Sequence, residues 1–318
     1  MHRSRNVWTL MFLCFPLFIF AQTPVTLYGL KGPSGVGMLK LFDQGPEIGG
    51  LPLRVTALPS ADLMVAKFVS GEAELGILPP NVAAKLYSAG RPLRIAAVVG
   101  QGMLRLLTSD PSIRTLGDLK GKTVEVAGQG ATPDFVFRRI LASQGFDLQK
   151  DIQLGYSLAY PETAQMLIAG RIPTALLPEP FATMALMGRP SLRVVGDIQD
   201  EWVKAGGKEN YPMTVLVVTA DFAQKHPQDL RTLLEAYRNS LDWVKAHPTE
   251  AGALAQKYDL GLPPPVVAQS IPKGAYVFLS AQQARPSLEA LYQAFLDFSP
   301  PSIGGKLPNA DFYLSDGK

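Results

Sequence analysis

The strongest constraint on the fold is a regular alternation of short apolar runs with helix-like segments of about ten residues. In 25–100 the strand-like runs include 25–30 and 53–58, and 61–70 has the spacing of an amphipathic helix. The same order of elements returns in 123–187, although the two stretches share too little sequence identity to be called a repeat. This alternation predicts an α/β fold with largely parallel sheets.

The remainder of the sequence is mainly helical after one more strand-like run at 213–219. In 229–247 apolar residues recur at helical spacing, which predicts a long helix with one buried face. The chain has 318 residues, of which 47% are hydrophobic and 18% are charged. A chain of this size and composition can form two domains or two lobes, each with its own core.

Residues 1–21 have the pattern of a secretory signal peptide. His2, Arg3 and Arg5 form a basic start, and an apolar run follows at 7–20. This run of about fourteen residues is shorter than the roughly 20 residues that a membrane-spanning helix needs. We therefore expect a cleaved signal and an exported, periplasmic protein.

The single cysteine, Cys14, lies inside this apolar run. Lipid attachment at Cys14 is the weaker alternative, because Leu13 stands where such sites have a small residue. Cleavage after the signal leaves a chain without cysteine, and therefore without disulfides or thiolate chemistry. Loss of Arg3 and Arg5 lowers Lys+Arg from 30 to 28, against 27 acidic residues. This near-neutral balance gives no indication of nucleic-acid or membrane-surface binding.

Catalytic residue types are scarce. Of the three histidines, His2 lies in the predicted signal, and His226 and His247 each precede a proline at a predicted helix boundary. A Ser-His-Asp arrangement therefore has no base, and a histidine or cysteine metal site lacks ligands. Glu179 is the only acid at the end of a predicted strand. We predict a protein that is not an enzyme and that holds no cofactor or metal.

A glycine-rich loop at 128–132 leads into a predicted helix, with Thr132 as a possible N-cap and Pro133 at its first position. The dinucleotide-binding fingerprint fails because its third glycine would fall at Pro133, and no Gly-Lys-Ser/Thr follows for a P-loop. The loop is therefore either a tight turn or part of a binding site for another small molecule.

Similar loops follow the other predicted strands, where ligands bind in open α/β sheets. They carry neutral hydrogen-bonding groups, which suit reversible binding better than bond cleavage. The candidate ligand-binding residues are Lys31, Ser34, Gly35, Val36, Ser60, Pro79, Asn81, Gln129, Gly130, Ala131, Thr132, Tyr160, Glu179 and Tyr211.

Three segments in order carry a resemblance to a known family. They are SGEAELGILPPNVAAKLYSAG at 70–90, TLGDLKGKTVEVAGQGATPDFVFRRILASQGFD at 115–147, and ETAQMLIAGRIPTALLPEPFATM at 162–184. The chain resembles the periplasmic substrate-binding proteins of ABC importers, in the group related to nitrate, sulfonate and thiamine-precursor binders. Glu74 stands where aspartate is commoner, and Pro173-Thr174 replaces the usual Ile/Val-Asp.

The resemblance implies a two-lobed type II periplasmic-binding-protein fold, with two mixed, mostly parallel sheets flanked by helices and a ligand cleft between the lobes. Lobe 1 would comprise 25–104 and 214–318, and lobe 2 would comprise 105–213. Closure of the lobes around the ligand would be a hinge motion. The implied partners are a small-molecule ligand and an ABC permease with its cytoplasmic ATPase, and the implied state is a monomer.

The sequence leaves the ligand class open. Helix N-termini and Lys31 suit an anion, whereas Glu179 facing the cleft would favour an amine, a pyrimidine or an amidine. Glu179 can equally be a structural acid that accepts hydrogen bonds from backbone amides. Tyr160 and Tyr211 can stack on an aromatic ligand or pack at the rim. Our preference is a heterocyclic or vitamin-like ligand over a bare sulfonate or nitrate.

Three functional hypotheses follow. A receptor that delivers solute to an importer is favoured by the signal, the paired halves and the scarcity of catalytic side chains. The alternatives are a ligand-sensing domain for a membrane partner and an enzyme on the same fold, similar to pyrimidine synthases or menaquinone-pathway enzymes.

Overall fold

The computed structural model describes residues 24–208 and 210–315. The predicted signal peptide and Cys14 lie outside these residues. Within the described ranges, no helix is both long enough and apolar enough to cross a membrane. The strands are β1 Thr26–Leu30, β2 Glu47–Ile48, β3 Leu51–Pro52, β4 Arg54–Leu58, β5 Leu75–Leu78, β6 Leu93–Gln101, β7 Leu104–Thr108, β8 Lys122–Val126, β9 Ile152–Gly155, β10 Thr174–Pro178, β11 Arg193–Val194, β12 Pro212–Thr219 and β13 Ala275–Ser280.

The helices flank these strands. They are α1 Pro33–Gly37, α2 Leu39–Gln44, α3 Ala61–Ser70, α4 Pro80–Ser88, α5 Thr132–Ser143, α6 Tyr160–Ile168, α7 Phe181–Gly188, α8 Ile198–Lys204, α9 Ala220–Lys225, α10 Pro227–Ala246, α11 Pro248–Lys257, α12 Pro264–Ser270 and α13 Ala281–Phe298. Short 3₁₀ helices cover Leu116–Leu119, Ile271–Lys273, Pro300–Ile303 and Ala310–Phe312.

The first sheet has six strands in the order β4-β1-β5-β12-β6-β13. β1 pairs in parallel with both neighbours, so that Leu27 lies opposite Val55 on one side and Leu75 on the other. β12 pairs antiparallel with β5 and β6, and β13 pairs antiparallel with β6. The carboxyl ends of β1, β4 and β5 therefore lie at one edge, with their loops side by side.

The second sheet has five strands in the order β9-β8-β10-β7-β11. β8 pairs in parallel with β9 and β10, whereas β7 pairs antiparallel with β10 and β11. The loops that follow β8, β9 and β10 lead into α5, α6 and α7. This sheet therefore also presents several strand ends at one edge.

The chain passes between the sheets at two places that lie side by side. It leaves the first sheet between Gln101 and Leu104 and returns between Val194 and Pro212. The backbone N–H of Gly102 donates to the carbonyl of Tyr211 at 3.0 Å, which ties the two connections together.

The predicted α/β fold with two mixed sheets is confirmed, but parallel pairs do not predominate. In the two large sheets four strand pairings are parallel and five are antiparallel. In the first sheet two antiparallel pairs come from β12, which returns from the second sheet and inserts between β5 and β6, and the third comes from β13 at the edge. In the second sheet β7 enters antiparallel to β10.

The long helix predicted at 229–247 is α10, and it packs against α1. Its buried face includes Leu233, Tyr237 and Leu241. On the same helix the Ser240 hydroxyl donates to the carbonyl of Gly37 at 2.8 Å. Burial of the apolar stripe therefore fixes α1, which follows the first strand end.

Candidate binding cleft

A small cavity lies between the two sheets, where β1 and β5 end on one side and β10 ends on the other. Its volume is about 60 Å³. Open α/β sheets bind ligands outside the carboxyl ends of their strands, so this cavity is the candidate site. The lining residues are Leu30, Lys31, Pro33, Ser34, Ile77, Leu78, Pro79, Pro133, Tyr160, Pro178, Met213 and Thr214.

The turn after β1 forms one wall of the cavity. Gly32 has φ 127°, a conformation that side-chain-bearing residues rarely adopt. The Ser34 hydroxyl donates to the carbonyl of Leu30 at 3.1 Å and accepts the N–H of Leu30 at 2.9 Å. Ser34 therefore closes the turn, and one lone pair of its oxygen remains for another partner.

Lys31 supplies the one charged side chain among the described residues that line the cavity. Its Nζ lies 3.7 Å from a carboxylate oxygen of Asp259, whose side chain is 94% exposed. An ion pair this exposed contributes little stability, so the ammonium group can leave Asp259 at small cost.

Tyr160 forms the opposite wall and stacks on Phe181, with ring centroids 5.7 Å apart and planes 17° apart. Burial of Tyr160, aided by the nearby Asp134 carboxylate, raises the pKa of its phenol, so the hydroxyl stays protonated. A Cβ on Gly128, which has φ 81°, would lie 2.9 Å from the Tyr160 oxygen. The absence of a side chain at Gly128 therefore leaves space for the Tyr160 hydroxyl.

The walls offer few backbone donors. Pro33, Pro79, Pro133 and Pro178 are four of the twelve lining residues, and proline has no N–H. α1, α4, α5 and α6 each carry proline in their first positions. These helix starts therefore have fewer free N–H groups for an oxyanion than ordinary helix starts have.

Beside the cavity, the first turn of α4 meets the glycine-rich loop before α5. The Asn81 side-chain amide donates to the carbonyl of Gly130 at 2.8 Å. The Thr132 hydroxyl donates to Asn81 Oδ1 at 2.9 Å. Asn81 is 1% exposed and Thr132 is 0% exposed. Three predicted ligand-binding residues are thus brought together, but they bond to one another.

Glu179 lies next to the cavity without lining it. Its carboxylate is buried and accepts the backbone N–H of Thr183 at 3.1 Å. Burial raises the pKa of Glu179, and the hydrogen bonds from Thr183 and the charges of Arg105 and Lys273 partly offset this rise. The structure therefore matches the alternative in which Glu179 is a structural acid at the start of α7.

The raised pKa of Glu179 gives a prediction about stability and pH. Below the unfolded-state pKa, near 4.5, Glu179 is protonated in both states. As the pH rises through the higher folded-state pKa, the wild type loses stability, because burial disfavours the charged form. Glu179→Gln cannot ionise and keeps an oxygen that accepts from Thr183. We expect its Tm to rise relative to wild type between pH 4 and pH 8, measured by thermal unfolding.

Glu72→Gln is the matched control, because a hydrogen bond from Lys67 lowers the pKa of Glu72. The ionised Glu72 of the wild type stabilises the fold above pH 4.5, and this stabilisation is lost in acid. The Tm difference between Glu72→Gln and wild type should therefore change with pH in the opposite direction from that of Glu179→Gln, and by less. A difference between Glu179→Gln and wild type that does not change with pH would contradict the prediction.

The other predicted site residues lie away from the cavity. Gly35 and Val36 pack into the core on the inner side of α1, and Ser60 caps α3 by accepting the N–H of Leu63. Tyr211 is buried against Trp202 near the connection between the sheets. Gln129 is exposed, and Ala131 is the buried N-cap residue of α5.

Sequence reasoning missed eight of the lining residues. Leu30, Leu78 and Pro178 are the last residues of their strands, so a rule that includes strand ends would have found them. Met213 and Thr214 lie on β12, whose position beside β5 comes from a non-local pairing. No local signal identifies those two positions.

A larger groove of about 430 Å³ lies at the far end of α4, between Tyr87 and Asn309. It is distant along α4 from Asn81 and from the strand ends, so we do not assign the binding site to it. Among the described residues no group of three or more His, Cys, Asp or Glu could hold a metal ion.

Solved structures share this architecture. A protein from Parabacteroides distasonis described as an ABC transporter is 25% identical, with a TM-score of 0.76 over 93% of this chain and 100% of its own. The periplasmic aliphatic sulphonate-binding protein SsuA from Escherichia coli is 19% identical, with a TM-score of 0.70 over 93% and 94%. The periplasmic nitrate-binding protein NrtA from Synechocystis PCC 6803 is 12% identical, with a TM-score of 0.68 over 87% and 82%. A search of curated proteins finds no match.

These similarities confirm the predicted two-lobed type II periplasmic-binding-protein fold, with one lobe built on each large sheet. The family model of the NMT1-like family matches residues 47–257. That match covers more than half of the sequence, so the chain belongs to the NMT1-like family.

Proposed function

We propose that this protein is an extracytoplasmic solute receptor that holds a small molecule between its two lobes and delivers it to the permease of an ABC importer. The observation that carries the proposal is the cavity at the strand ends, between sheets arranged as in periplasmic binding proteins. Its lining has no histidine, cysteine or carboxylate among the described residues, which suits binding better than catalysis.

The proposed lobes follow the crossings of the chain. Lobe 1 would comprise 25–104 and 214–318, and lobe 2 would comprise 105–213. Residues 1–21 would direct export to the periplasm and then be removed, and the receptor would act as a monomer. A cavity of about 60 Å³ holds only a few water-sized groups, whereas small-molecule sites usually measure about 300–1,000 Å³. A heterocycle would therefore need hinge opening both to enter the cleft and to widen the cavity around it.

For the ligand we propose a flat, largely apolar heterocycle with one or two polar groups. Its faces would lie against the proline rings and Tyr160, and the hydroxyls of Tyr160 and Thr214 would bind its polar groups. Neither hydroxyl makes a hydrogen bond to another described residue. A bare nitrate or sulfonate would have Lys31 as its one charged partner and few backbone N–H groups, which is poor compensation for desolvating an anion.

Native mass spectrometry of the purified mature protein tests this function first, followed by thermal shift with pyrimidines, other vitamin-like heterocycles, amines, alkyl sulfonates and nitrate. We expect a heterocycle to co-purify or to raise Tm by several degrees. A Tm shift with sulfonates alone would overturn the proposed ligand class, but the proposed receptor function would still stand. No bound species and no shift with any class, or conversion of a bound compound, would count against the receptor.

Lys31→Gln separates the two ligand classes. If the ligand is neutral, we expect this variant to bind it within about twofold of wild type, because Lys31 contributes packing more than charge. If an anion is the ligand, loss of the one lining cation should weaken binding by tenfold or more. Titration calorimetry with the best compound measures the difference, and Lys40→Gln, outside the cavity, is the control.

A further inference from the structure

We infer that Asn81, Gly130 and Thr132 form an interlobe latch, which holds the cleft closed through bonds between the lobes themselves. The inference rests on the proposed function, because it concerns the opening of the same cleft. It assigns these three residues to closure, whereas the sequence assigned them to ligand contact.

The latch joins the two lobes directly. Asn81 is on α4, which packs against the first sheet, and Thr132 begins α5, which follows β8 of the second sheet. One amide orientation satisfies both bonds, since Nδ2 donates to the Gly130 carbonyl while Oδ1 accepts the Thr132 hydroxyl. The Thr132 donor is used, and both ends of the Asn81 amide are engaged. A ligand that offers a hydrogen-bond acceptor would have to displace one of these bonds to bind either side chain.

Each side of the latch is held in position by its own lobe. On the lobe 2 side, the N–H of Gly130 donates to one Asp134 oxygen at 2.9 Å, and the Tyr156 hydroxyl donates to the other at 2.8 Å. On the lobe 1 side, the Asn81 amide lies 3.4 Å from the carbonyl of Ser302. Because the partners are already ordered, little additional ordering is needed when the latch forms.

Opening the cleft would break these bonds. Buried Asn81 and Thr132 would exchange protein partners for water, and one net hydrogen bond changes an equilibrium constant by roughly two- to tenfold. Further interlobe hydrogen bonds lie elsewhere along the interface, from Lys273 Nζ to the Thr183 hydroxyl at 3.2 Å and from Arg105 Nη2 to the carbonyl of Lys273 at 3.5 Å. The latch should therefore keep part of the ligand-free protein in the closed form, in equilibrium with the open form. Ligand entry should then depend on how often the cleft opens.

Thr132→Val tests the latch, because valine keeps the shape of threonine and removes the hydroxyl. Spin labels on Leu63→Cys in lobe 1 and Met166→Cys in lobe 2 report the distance between lobes by pulsed electron resonance. Both sites are exposed, and the mature chain is expected to have no other cysteine. In protein freed of ligand, we expect Thr132→Val to lower the closed-to-open ratio by roughly two- to tenfold.

Thr163→Val is the matched control. Thr163 is as buried as Thr132, but its hydroxyl donates to the carbonyl of Ala159, the N-cap residue of its own helix α6, at 2.9 Å. This control should leave the ratio unchanged, and Thr132→Ser should restore it. Circular dichroism and Tm establish that each variant folds.

Two outcomes would overturn the latch: equal ratios in wild type and Thr132→Val, or a wild type that is entirely open. The distance measurement needs no ligand, so failure of the latch can be distinguished from failure of the receptor function. If the latch fails while a heterocycle still binds, the receptor stands with ligand-dependent closure.

Discussion

Replacing Gly32 by alanine should open the cleft and weaken ligand binding by tenfold or more. Gly32 follows β1 of the first sheet, and its φ of 127° lies in a region that is almost limited to glycine. An added Cβ would lie 3.0 Å from a ring carbon of Phe181, which begins α7 after β10 of the second sheet. The methyl group would therefore strain the backbone by about 1–3 kcal/mol and also push the lobes apart. The spin-label distance, Tm and calorimetric affinity for the identified ligand measure these effects.

Gly71→Ala separates strain from displacement of the lobes. Gly71 also has positive φ, at 82°, but nothing lies within 4 Å of the position of its Cβ. We expect Gly71→Ala to lower Tm with no change in the distance between lobes or in affinity. If Gly32→Ala lowers Tm but keeps the wild-type distance, then Gly32 serves only the conformation of its turn.

The fold could be predicted largely from the sequence because its signals are local. The strand expected at 25–30 and the helix expected at 61–70 are Thr26–Leu30 and Ala61–Ser70 in the structure. The direction of strand pairing is not local, however. β12 pairs with β5 across more than a hundred residues, and its antiparallel insertion made the sheets more mixed than predicted.

The candidate site could be predicted only in part, for the same reason. Strand-end loops identified Lys31, Ser34, Pro79 and Tyr160, which line the cavity. The partner of each side chain depends on tertiary contacts between lobes. Asn81, at the start of α4, accepts a hydrogen bond from the Thr132 hydroxyl across the cleft. No local sequence signal distinguishes such a residue from one that binds a ligand.

The aromatic pair beside the cavity gives the prediction with the largest expected effect on stability. Phe181 is 1% exposed, stacks on Tyr160 and lies against Gly32. Phe181→Ala would leave a void at this junction, and comparable core truncations cost about 3–5 kcal/mol. Loss of the ring also removes the support that orients Tyr160 toward the cavity. We expect lower stability in urea denaturation and at least tenfold weaker binding by calorimetry.

Two further variants separate the stacking role of Phe181 from its packing role. Phe222→Ala removes an equally buried ring on α9, away from the cavity, so it should lose comparable stability and keep its affinity. Phe181→Leu retains most of the volume without an aromatic face, so stability should fall less while binding still weakens. If Phe181→Leu binds like wild type, packing alone positions Tyr160. If Phe222→Ala binds as poorly as Phe181→Ala, the loss of affinity reflects general destabilisation. The proposal that Phe181 orients Tyr160 for binding would then be wrong.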